Sequence, residues 1–112
     1  MDKVSQYQAY LITLLEKYAS YPYANMPGVE RQVITDTQRH HYQLVSVGWD
    51  KKQYVHNCSL HFDIKDGKIW LQQNWMDVDV AQELVEMGVP PTDIVLGFQP
   101  PYLRQYTDYG MA

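Results

Sequence analysis

Apolar positions along the chain change period twice, and the changes divide it into a helix, a run of strands and a second helix. Val4, Tyr7, Leu11, Leu14, Leu15 and Tyr18 recur at spacings of three, four and seven, which predicts a helix with one buried face from about Asp2 to Ser20. Pro22 ends it, and Tyr21 to Gly28, with two prolines, an Asn and a Gly, reads as a loop. From Val29 the period is two: Val29, Arg31, Val33 and Thr35 alternate with Glu30, Gln32, Ile34 and Asp36 in a first strand. Thr37-Gln38-Arg39 turns the chain into a second strand, where His41, Val45, Val47 and Trp49 alternate with Tyr42, Leu44 and Ser46. Asp50-Lys51-Lys52-Gln53 makes a polar turn into a third.

The third strand has the clearest alternation. Tyr54, His56, Cys58, Leu60, Phe62 and Ile64 share the side expected to face the core, and Val55, Asn57, Ser59, His61 and Asp63 share the other. Asp66-Gly67 follows at once. Asp-Gly between alternating strands predicts a type I′ turn, since Gly accepts positive φ, Asp tolerates it, and the twist matches the flanking strands. Ile69, Leu71 and Trp75 are expected to return along a fourth strand.

After Trp75 the period is helical, with Val80, Leu84 and Met87 on one stripe. Asp79 and Gln82 have capping-box spacing, Gly88 supplies the stop, and Pro90-Pro91 prevents continuation. A short helical turn through Asp93, Ile94 and Val95 and another near Tyr102 to Tyr106 complete the reading. The predicted fold is α+β, a single domain over residues 1–112: an N-terminal helix, a four-stranded antiparallel meander, and a C-terminal helix with short turns, the helices on one face of the sheet.

Composition narrows function by exclusion. Nine basic residues against thirteen acidic ones leave a formal charge of -4, which disfavours direct nucleic-acid binding, since that needs clustered Lys and Arg. The single cysteine, Cys58, permits no intrachain disulfide and suits a reducing compartment. Neither a signal peptide nor a membrane helix of about 20 apolar residues is recognisable, so the cytosol is the expected location.

Motifs of catalysis are missing: G-x-S-x-G, a phosphate-cradling glycine loop and H-E-x-x-H do not occur. Four histidines raise the question of a metal, but His56 is expected to face away from His61 and Asp63. The latter two lie about 7 Å apart along the strand. His41 adds a third donor only if the second and third strands pair in a favourable register. We therefore expect no metal ligands and no cofactor, and surface histidines instead. The acidic group Asp77, Asp79, Glu83 and Glu86 is better explained by a helix start and a solvated helix face than by magnesium. Cys58, on the apolar side, is expected to be structural, with no catalytic role. Ten tyrosines and three tryptophans exceed what so small a core needs, and they mark a candidate interaction surface at Trp70, Trp75, Tyr102, Tyr106 and Tyr109.

Three segments carry a family signature: His61-Phe62-Asp63-Ile64-Lys65-Asp66-Gly67-Lys68-Ile69-Trp70, Asp79-Val80-Ala81-Gln82-Glu83-Leu84-Val85-Glu86, and Gly88-Val89-Pro90 through Asp93-Ile94-Val95-Leu96-Gly97-Phe98. In these the chain resembles the XisI family, the fdxN element excision controlling factors of cyanobacteria. The resemblance covers nearly the whole chain. It implies an accessory role in programmed DNA excision during heterocyst development, with a separate recombinase and a companion, XisH, that resembles restriction-type nucleases. It carries over no catalytic or binding residue. Where members of that family often have His after Leu96-Gly97-Phe98, this chain has Gln99.

Three functional expectations follow. The first is a non-enzymatic regulatory protein that binds a XisH-like companion. The second is a metal-dependent DNA-processing enzyme drawing on His41, His61, Asp63, Asp77 and Asp79, which requires three of those side chains within about 4 to 5 Å of a common point. The third is a direct DNA-binding excision accessory. Self-association is expected as well, because a four-stranded meander leaves two exposed edges.

Overall fold

The computed structural model describes residues 2–111. Helix α1 spans Lys3–Ala19. The Asp2 carboxylate accepts the Ser5 backbone N–H at 2.8 Å and so satisfies one of the orphan donors of the first turn. Its apolar stripe, Tyr7, Leu11, Leu14, Leu15 and Tyr18, is buried.

Four antiparallel strands follow in sequence order: β1 (Val29–Asp36), β2 (His41–Asp50), β3 (Gln53–Lys65) and β4 (Lys68–Asn74). At the β3–β4 hairpin Asp66 has φ 53° and Gly67 φ 74°. Both are positive, as the type I′ geometry predicted from Asp-Gly requires. Tyr42 and Leu44 from β2, Leu60, Phe62 and Ile64 from β3, and Ile69 and Leu71 from β4 point to one face, where α1 packs.

Helix α2 (Val80–Met87) lies against the same core through Val80, Ala81 and Leu84. Asp79 caps it by accepting the Gln82 N–H at 3.0 Å, and Gly88 closes it in the left-handed conformation. Asp79 therefore does the capping expected of it.

One strand is new. Pro91–Asp93 forms a single 3-10 turn, and Ile94–Leu96 then becomes β5, parallel to β4. Residues expected in a helical turn are thus an edge strand, and α2 is the crossover that a parallel neighbour needs. Ile94 and Val95 are fully buried there, and Gly110 bridges Val95 from outside. The five-stranded order β1-β2-β3-β4-β5 puts β1 at one edge and β5 at the other, and among the described residues β1 pairs with β2 alone. The four-residue helix α3 (Pro101–Arg104) reaches the face opposite α1, where the Arg104 guanidinium lies 5.1 Å from the Trp70 ring.

Candidate functional site

The β2–β3 turn sets a register, and one extra residue then changes it. From Asp50↔Gln53 the pairing runs regularly through Val47↔His56 to Val45↔Cys58. Leu44 then pairs with Leu60 and not with Ser59. Ser59 is a β-bulge, an additional residue on one strand that shifts every later pair by one position. Without it His41 would oppose Phe62, a core residue. With it His41 opposes Asp63 and Gln43 opposes His61.

The shift assembles a cluster on the face opposite α1. His41 Nδ1 donates to Asp63 Oδ1 at 2.8 Å, and His61 Nε2 donates to the same oxygen at 2.8 Å. The ligand atoms of all three residues lie within 4.8 Å of one another. A second bulge supports the group from the other side. Phe62 pairs with Leu71 and His61 with Gln73, so Gln72 is the extra residue of β4. Its amide donates to Asp63 Oδ2 at 3.2 Å.

Asp63 is 8% exposed. Burial raises its pKa, but the hydrogen bonds from His41, His61 and Gln72 and the nearby His61 charge outweigh it, and the carboxyl is held below its ordinary value. His41 is the open side of the cluster, with 52% of its side chain exposed. Trp70, directly opposite Asp63, has Lys65 4.3 Å and Arg104 5.1 Å from its ring.

The favourable register on which a third donor depends is present: His41 joins His61 and Asp63, and together they offer two imidazoles and one carboxylate. Asp77 and Asp79 do not join them. Asp79 is occupied as the α2 cap, and Asp77 is exposed in the preceding loop. His56 remains exposed elsewhere on β3.

The Ser59 bulge also moves Cys58. It pairs with Val45, off the core side expected for it, and its thiol donates to the Leu60 carbonyl at 3.0 Å. Burial still raises its pKa, so it remains a poor nucleophile at neutral pH. Ser59 in turn points inward, where its hydroxyl meets that of Ser46 at 3.3 Å, and Ser46 bonds Tyr23 at 2.7 Å.

The predicted interaction residues divide into two groups. Trp75, Tyr102 and Tyr106 are 73%, 71% and 79% exposed. Trp75 lies just beyond β4 and not within it. Trp70 and Tyr109 are partly buried: Tyr109 packs against the core, and Trp70 meets Lys65 and Arg104. Sequence reasoning did not select Trp49 and Tyr54, whose rings meet tilted by 57° at 5.1 Å between centroids while each stays more than half exposed. Their position beside the two-residue turn at Lys51-Lys52 was the available signal.

A cleft between α1 and α2 is lined by Thr13, Leu14, Lys17, Glu83, Glu86 and Met87. Two of its charges are paired: Lys17 bonds Glu83 at 2.8 Å, and Tyr18 donates to the second Glu83 oxygen.

The XisI protein family model matches residues 1–111. The chain belongs to the XisI family. The crystal structure of a XisI-like protein from Anabaena variabilis ATCC 29413 is 55% identical, with a TM-score of 0.90 over 97% of this chain and 99% of that one. The crystal structure of the fdxN element excision controlling factor XisI from the same organism is 32% identical, with a TM-score of 0.83 over 99% of this chain and all of the other. No curated protein matches. The α+β architecture is thus the XisI architecture over its full length, with the parallel β5 added to the expected meander.

Proposed function

We propose that this XisI-family chain controls excision of a DNA element as an accessory protein, by binding a XisH-like companion and without catalysing strand chemistry itself. The observation that carries the reading is the likeness to the fdxN element excision controlling factor XisI over 99% of this chain and all of that one. Two features agree with it. The net charge of -4 suits a protein partner better than a phosphate backbone. Trp75, Tyr102 and Tyr106 present large aromatic surface to solvent, as contact residues do. An excision reporter tests the role: a plasmid carrying the element, with recombinase and companion supplied, excises only when this chain is present. Equal excision without it refutes the role.

The converged His41, His61 and Asp63 favour a second reading, a metal-dependent DNA-processing enzyme. It ranks below the first because the cluster lies on an open sheet face and gains no further carboxylate from Asp77 or Asp79. Plasmid cleavage that needs a divalent metal and is lost in His41→Ala would promote it. The same chain is expected to self-associate through the β1 edge, and a monomeric mass by light scattering would contradict that.

A further inference from the structure

We propose that His41, His61 and Asp63 form a binding site for a divalent first-row transition metal, zinc foremost, with its remaining coordination position open to solvent. The inference stands apart from partner binding, and either can fail without the other.

The donor set selects the class of ion. Two imidazole nitrogens and one carboxylate suit zinc and its neighbours, whereas magnesium and calcium take oxygen ligands almost exclusively. Three protein ligands are the number found where zinc keeps one place for water or another molecule. The exposed His41 side marks where that place lies.

Geometry is close to what coordination needs. Each imidazole meets Asp63 Oδ1 at 2.8 Å through a hydrogen bond. Around a tetrahedral ion with bonds of about 2.0 to 2.1 Å, neighbouring ligand atoms sit about 3.3 Å apart. Opening the cluster by about half an ångström is within the reach of side-chain rotation, and His41, half exposed, is free to supply it. On binding, the ion replaces the protons on His41 Nδ1 and His61 Nε2. A neutral ring carries its proton on its other nitrogen, and a protonated ring releases one to solvent.

Two features are those of a built site. Gln72 holds the outer oxygen of Asp63, the kind of support that orients a ligating carboxylate. Two separate bulges, at Ser59 and Gln72, put these side chains on one face. Bulges next to functional groups commonly re-aim side chains in this way.

The test is isothermal titration of the metal-free full chain with zinc chloride, repeated with magnesium chloride. We expect one zinc per chain and no magnesium binding. His41→Ala, whose exposed position spares the core, lowers zinc affinity at least about a hundredfold, and Gln72→Ala about tenfold, since loss of a supporting residue costs about 10- to 100-fold. His56→Ala, on β3 with His61 but outside the cluster, leaves affinity unchanged. Imidazole nitrogen shifts by NMR report ligation directly, with zinc moving the His41 and His61 signals. Absence of one-to-one zinc binding overturns the proposal. So does unchanged affinity in both His41→Ala and His61→Ala variants that retain the native circular dichroism spectrum.

Discussion

Replacing Asp63 by Ala, with chelator present to exclude metal, isolates what the cluster contributes to the fold. Asp63 has 12% of its side chain exposed, and His61 27%. Charge-assisted hydrogen bonds at such sites contribute about 1.5 to 3 kcal/mol each at most. The bond from the half-exposed His41 counts for under about 1 kcal/mol, because solvent competes for it. The variant also escapes the cost of burying the carboxylate. A net loss of about 3 kcal/mol is expected near neutral pH, lowering Tm by about 13 °C in a domain of this size. The pH dependence has a definite sign. The folded pKa of Asp63 lies below its ordinary 3.8, so its contribution is fully present above that ordinary value and disappears as pH falls through the folded one. Urea unfolding followed by tryptophan fluorescence, for both proteins across this range, measures the difference. A loss under about 0.5 kcal/mol at neutral pH, or a difference that widens on acidification, would refute the reasoning.

Three further outcomes follow from other parts of the molecule. Gly48 has φ 146°, and a Cβ there would lie 2.0 Å from the Gly28 carbonyl oxygen, just before β1; Gly48→Ala should cost about 3 kcal/mol through backbone strain and displacement of β1, and a Tm within about 2 °C of wild type would contradict this. Tyr7 donates to Asp93 at 2.5 Å, where burial and that carboxylate raise its pKa; Tyr7→Phe should lose about 1 to 2 kcal/mol by denaturant titration, and an unchanged midpoint would show the bond to be without net value. Cys58, its pKa raised by burial, should react with iodoacetamide at neutral pH more slowly than free cysteine, and an equal rate would count against that environment.

How far the sequence was legible depends on whether its signals were local. Helices α1 and α2, with caps at Asp2 and Asp79, follow from apolar spacing and capping chemistry within a few residues. The Asp66-Gly67 hairpin follows from two residues that accept positive φ. The strand β5 was not legible, because three apolar residues after a proline pair fit a helical turn as well as a strand, and its partner β4 is over 20 positions earlier. The candidate site was hidden for a related reason. Strict alternation along β3 places Cys58 with Leu60 and opposes His41 to Phe62. The Ser59 bulge breaks that alternation without any glycine or proline to announce it. Which residues face one another thus depended on a single unpaired position. The polar run Gln72-Gln73-Asn74 gave equally little warning of the bulge at Gln72.

The central claim, action through a protein partner, is tested most directly by co-expressing the chain with a XisH-like protein and measuring the mass of the eluted species by size-exclusion chromatography with light scattering. The account predicts a single species containing both proteins, abolished when Trp75, Tyr102 and Tyr106 are changed together to Ala in a variant that keeps its fold. Separate elution of the two wild-type proteins would contradict it.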